Sequence, residues 1–210
     1  MNGRTSSFSS SPTPSRPNAS VAPSASQLAE RRRRVAYHEA GHVLVAWLTP
    51  GCTLVSAEIH PGSKEIDVFG RVNCVPREKD GVGQALALLP YCLGGCVGEL
   101  VGLQTVMLGI SRDDFAKAHQ AAQTLVRAQA ERGAPWLRPT RVEPGISRSF
   151  RPSPAPTEAR VIDLAAREAH RLLAANGFIL QPLADWLSFQ DYVSGPQLQK
   201  FLAVFEPIRS

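Results

Sequence analysis

The chain has 210 residues, of which 43% are hydrophobic and 20% charged, and its formal net charge is +5. That length holds one ordinary domain of about 150 residues plus a tail, and the apolar share is enough for a real core. No apolar run reaches the roughly 18 residues of a spanning helix, and the basic residues lack the aromatic-interleaved face of a nucleic-acid binder, so neither a transmembrane segment nor a nucleic-acid partner is expected.

In chain order, residues 1–25 are rich in Ser and Pro, with Arg4 and Arg16 and no acidic residue before Glu30. Such a stretch buries too little apolar surface to offset its ordering entropy, so it reads as a disordered tail. Its composition also fits a transit peptide, which leaves an organellar location as the alternative to a cytoplasmic one. A helix is expected over 27–48, capped by Ser24 or Ser26 and ended by Thr49-Pro50-Gly51, with Val35, Leu44, Val45 and Leu48 inward. The run Arg31 to Arg34 at its start reads as solvated.

Short strands are expected at 53–55, 58–60 and 67–75, making a small sheet or hairpin. A buried helix over 83–103 follows, then one over 112–131 with Ser111 placed to cap it. Residues 133–156 form a Pro/Arg-rich loop bearing Arg138, Arg141, Arg148 and Arg151. An amphipathic helix over 157–175, with Val161, Leu164, Ala165, Leu172 and Leu173 inward, closes at Asn176-Gly177. Helices over 180–188 and 194–204 complete a predominantly helical α+β domain spanning 26–206. Cys52, Cys74, Cys92 and Cys96 form no CxxC pair and follow no secretory signal, so free thiols in a reducing compartment are expected.

The informative string is His38-Glu39-Ala40-Gly41-His42. Helical positions four apart differ by about 40° around the axis, so both imidazoles project from one face and can share a Zn²⁺ ion. Glu39 sits on the adjoining stretch, within reach of a water at that ion. Chance produces HExxH on the order of once in a few hundred chains of this size, and the apolar neighbours Val35, Ala36, Val43 and Leu44 argue against surface decoration. A catalytic zinc needs a third protein ligand. Spacing leaves Asp67, Asp80, Glu99, Asp113 and Asp114 all open.

The string Val35 to His42 closely resembles the peptidase domain of the FtsH-type AAA zinc metalloproteases. So do Ile59-His60-Pro61-Gly62, Gly70-Arg71-Val72, Leu93 to Glu99, Gly109 to Phe115 with Ala118, and the helix over 158–176. The likeness runs over about 28–204. It implies an FtsH-like zinc peptidase fold, with Asp114 completing the metal site beside His38 and His42, and Asp113 as the alternate if the loop register shifts by one. The competing reading of Asp114 is a cap, three residues after Ser111.

The resemblance further implies a metalloendopeptidase acting on unfolded or flexible polypeptides, with Glu39 as general base. The substrate is expected beside an edge strand near 58–61, and ring-like homo-oligomers are implied. Three features depart from the family pattern: Cys96, Gly98 and the helix-interrupting Pro90. The sequence contains no GxxxxGK[ST] phosphate loop, so no ATPase motor is expected, and a separate ATPase is a candidate partner. The rival reading is a catalytically silent peptidase-like interaction protein docking on an ATPase or a related protease.

Overall fold

A computed structural model describes residues 24–49, 51–60, 70–106, 111–132 and 157–208. The expectations for the N-terminal tail, for residues 61–69 with Asp67, and for the 133–156 loop lie outside these residues. The elements in order are α1 (Ala25–Leu48), β1 (Cys52–Ile59), β2 (Gly70–Pro76), α2 (Gly81–Leu103), α3 (Arg112–Arg132), α4 (Glu158–Ala175), α5 (Gly177–Ser188), β3 (Tyr192–Ser194) and α6 (Gly195–Leu202). The fold is predominantly helical with one small antiparallel sheet, as expected.

Helix starts follow their side chains. Ser24 opens α1 through a reciprocal capping box: its Oγ accepts from Gln27 N (3.3 Å) and its N–H donates to Gln27 Oε1 (2.8 Å). Asp80 opens α2 by accepting from Val82 N and Gly83 N at 3.0 and 2.8 Å. This removes Asp80 from the ligand candidates, because its carboxylate is spent on a helix end. Helix α2 closes on Gln104, the one non-glycine with positive φ among the described residues, at 56°. A side chain is strained there by roughly 1 kcal/mol. Gln104→Gly should therefore raise the unfolding free energy by about 0.5–1 kcal/mol, read from a denaturant midpoint; an unchanged or lower midpoint would contradict that strain.

Helix α1 runs through the middle of the fold, packed by α2, α4, α5 and both long strands. Its contact with α2 is unusually close. A Cβ added at Gly41 would lie 2.2 Å from the carbonyl oxygen of Gly94, and one at Gly98 would lie 2.7 Å from that of Tyr37. Backbone thus meets backbone, and the glycine that costs α1 some helix propensity is what lets α2 approach. The same contact explains Gly98, one of the departures from the family pattern. Helix α2 is long and apolar enough to cross a membrane (mean hydropathy 1.7 over the relevant stretch), yet 56% of that stretch is buried inside the fold, which is how a core helix behaves.

Several expectations are corrected. The first two short strands are one, β1, with a register irregularity between Leu54 and Ser56. Helix α5 begins at Gly177 rather than 180, and β3 is an additional strand. The sheet order is β2-β1-β3, so Glu58 pairs with both Arg71 and Tyr192. The segment expected to be an open edge near residue 58 is therefore interior, and among the described residues the open edge on the α2 side belongs to β2. Arg32 is not solvated either: it bonds the carbonyl of Gln190 at 2.9 Å, that of Ser188, and Asp191 Oδ1 at 2.8 Å, tying α1 to the approach to β3. Leu164 and Ala165 are only partly buried, whereas Ala169 is fully so. All four cysteines are free thiols, and burial pushes Cys92 and Cys96 up to about 12 and about 11.

Candidate metal centre

His38 and His42 sit on the face of α1 turned toward α2, 1% and 3% exposed. Their Nε2 atoms lie 3.1 Å apart, and Asp114 Oδ2 from the first turn of α3 lies 3.1 and 3.2 Å from them. The structure thus gathers three of the residues singled out in the sequence into one group able to hold a metal ion. The other acidic candidates among the described residues separate cleanly. Asp80 caps α2, Asp113 is exposed, and Glu99 lies on the far side of the His38 ring. Ser111 accepts Phe115 N through its carbonyl at 3.0 Å, but its buried hydroxyl has no partner, so the Ser111–Asp114 capping box is not made.

The outer ring nitrogens are fixed by acceptors. His38 Nδ1 meets Glu99 Oε1 at 2.7 Å, and His42 Nδ1 meets the Tyr91 carbonyl at 2.7 Å. A carbonyl can only accept, so the His42 proton sits on Nδ1 and its Nε2 presents a lone pair; a carboxylate directs His38 the same way. Two lone pairs and a carboxylate oxygen then converge at 3.1–3.2 Å, an arrangement that requires a cation or a proton between them. Ligands 2.0–2.1 Å from one tetrahedral zinc stand about 3.3–3.4 Å apart, close to the spacing observed. The donor set fits zinc.

Without metal, a proton does this work. Burial alone lowers the His38 imidazole, but hydrogen bonds to Asp114 and Glu99, with the charges of Glu39 and Asp114, outweigh it and hold it up to about 10. Burial would raise Asp114, yet its hydrogen bonds with His38 and His42 and their charges hold it well below the usual carboxylate range. A group raised on folding stabilises below its unfolded value, and one lowered on folding stabilises above it. The melting temperature of chelated protein should therefore fall as pH rises from about 6.5 toward about 10, and fall again below pH 3.8. Zinc-loaded protein should lose the alkaline part of this dependence. A chelated protein that gains stability across that alkaline range would contradict the proton-held cluster.

Glycine shapes the surroundings. A Cβ at Gly95 would lie 2.4 Å from His38 Nε2 and 2.5 Å from His42 Nε2. Glu39, 3% exposed, lies over Gly70, where a Cβ would fall 2.5 Å from its Oε1. Burial pushes the Glu39 carboxyl up, although His42, His38 and Lys117 oppose it. Sequence reasoning misses the roles of Tyr91, Gly95 and Glu99. Their signal is nonetheless present: they stand at i, i+4 and i+8, one stripe of α2 facing the His38–His42 stripe of α1.

Two imidazoles one turn apart on a buried helix, with a carboxylate from a second helix, make the donor set of a metal-dependent hydrolase. Residues 26–129 match the model of peptidase family M41. An ATP-dependent zinc metalloprotease, FtsH 2 of Symbiobacterium thermophilum, is 30% identical over 184 residues, covering 83% of this chain and 30% of that protein. FtsH 1 of Sorangium cellulosum is 30% identical over 199 residues (84% and 30%), and FtsH of Leptotrichia buccalis 27% identical over 186 (83% and 23%). Through this domain the chain belongs to peptidase family M41, the FtsH-type metallopeptidases. It spans less than a third of the length of these relatives.

Proposed function

We propose that the chain is a zinc-dependent metalloendopeptidase that hydrolyses peptide bonds in unfolded or flexible polypeptides. The observation that carries this is the convergence of His38 Nε2, His42 Nε2 and Asp114 Oδ2 within 3.2 Å of one another, beside a buried Glu39. In this reading His38, His42 and Asp114 hold the ion, with Glu99 and the Tyr91 carbonyl orienting the two rings from behind. A zinc ion there supplies Lewis acidity toward the scissile carbonyl and brings a water's pKa toward about 7.

Glu39 accepts the proton of the attacking water and returns it to the departing amine. Its burial suits that role, because a carboxylate stripped of solvent is a stronger base than one in water. Gly70 leaves free the space that the Glu39 side chain fills, because a Cβ there would fall 2.5 Å from its Oε1. The names of the relatives support a zinc enzyme acting on polypeptides; an ATPase partner and a ring assembly are parts of this proposal that rest on the resemblance alone. Zinc content measured together with chelator-sensitive casein cleavage tests the reading, and zinc-loaded protein that cleaves nothing would favour the silent interaction module.

A further inference from the structure

A groove of about 460 Å³ is bounded by β2, α2 and the second to fourth turns of α3. Tyr91 and Cys92 form its inner wall, and the Tyr91 carbonyl is the group that orients His42. The groove therefore shares Tyr91 with the support behind His42, while His38, Glu39, His42 and Asp114 lie outside its lining. Its opposite wall is β2, on the edge that no other strand among the described residues pairs with. Ile59 N donates to Asp191 O on the β3 side at 3.0 Å, so by strand alternation Ala57 also faces β3, and its partner Val72 turns its backbone away from β1. The Tyr91 hydroxyl donates to the Val72 carbonyl there at 2.6 Å, which fixes the wall in place.

The lining carries one charged residue. Lys117 stands among Asn73, Gln84, Gln120 and Thr124, and none of the lining residues is acidic. Lys117 makes no ion pair within 4 Å among the described residues, even with Asp113 one turn before it. Its charge nevertheless reaches the metal centre and the inner wall, where it opposes the rise that burial gives Glu39 and Cys92. An unpaired cation in a groove rimmed by amide and hydroxyl groups is complementary to a carboxylate.

Resting on the hydrolase reading above, we infer that this groove receives the substrate residue next to the scissile bond, and that Lys117 makes it select a carboxylate there. That carboxylate is an Asp or Glu side chain or the terminal carboxylate of a short product-side segment. A neutral side chain of the same size leaves the ammonium without a partner, and a basic one meets like charge.

The test uses the full zinc-loaded chain and internally quenched, unstructured peptides identical except for Gln, Glu or Lys on one side of the cleaved bond. A further pair of peptides carries a free or an amidated C-terminus. Within each enzyme, the readout is the ratio of kcat/KM for one peptide over another. The wild type should favour Glu over Gln by roughly fivefold, the effect of one partly exposed ion pair, and should disfavour Lys. The ratio should fall toward one in Lys117→Gln, reverse in favour of Lys in Lys117→Glu, and shrink as salt is raised. A preference for the free C-terminus without one for Glu assigns the groove to the terminal carboxylate. Cleavage of the Gln peptide with ratios that ignore both Lys117 and the terminus would overturn this inference while leaving the hydrolase reading standing. No cleavage of any peptide would overturn both.

Discussion

Glu39→Gln is expected to leave zinc bound at the wild-type level and to lower cleavage of an unstructured protein such as casein by roughly 10²- to 10⁴-fold. The amide keeps the size and the contact with Gly70 but cannot take a proton. None of the three converging donor atoms belongs to Glu39, so metal content should not change. The separation of the two readouts is the point of the experiment. A variant that lost both zinc and activity would place Glu39 among the ligands, and one that cleaved at the wild-type rate would remove it from the chemistry.

The second large effect is expected from a single methyl group. In Gly95→Ala the new Cβ would lie 2.4 and 2.5 Å from the two Nε2 atoms, about 1 Å inside ordinary contact, so both rings must turn away from each other and from Asp114. Zinc affinity should fall by at least about 100-fold, read by competition with a chromogenic chelator. The exchange of glycine for alanine in a helix interior contributes about 1 kcal/mol of propensity, which offsets part of the strain in the chelated protein. Gly81→Ala is the control, since nothing lies within 4 Å of its added Cβ. Equal zinc affinity in Gly95→Ala and wild type would mean that the ion does not sit between those nitrogens.

Much of this arrangement is legible in the amino-acid sequence. Histidines at i and i+4 dictate a shared helix face, and the string from Val35 to His42 carries the family. What spacing leaves open is the third ligand, because five acidic residues are available and the chain's path decides which returns to α1. Their neighbours in the fold distinguish the four that lie among the described residues. Asp80 meets the free N–H groups of a helix start, Glu99 meets the outer nitrogen of His38, and Asp114 meets both inner nitrogens.

Other features depend on contacts that no local pattern records. Arg32 reads as part of a solvated basic run, but its partners lie more than 150 residues away along the chain. Strand β3 has three residues and no periodicity to read, and its pairing with β1 makes β1 the central strand of the sheet. Gly41, Gly94 and Gly98 are visible as small residues in the sequence. Their meaning lies in the approach of α2 to α1, backbone to backbone.

The most direct test of the central claim is elemental analysis of the purified chain and its Asp114→Asn variant, run beside a casein assay with and without chelator. One zinc ion per wild-type chain is predicted, with cleavage that stops on chelation and returns with zinc, and with much less zinc in the variant. Cleavage by rigorously metal-free protein, or a full complement of zinc in Asp114→Asn, would contradict a metal held between α1 and α3.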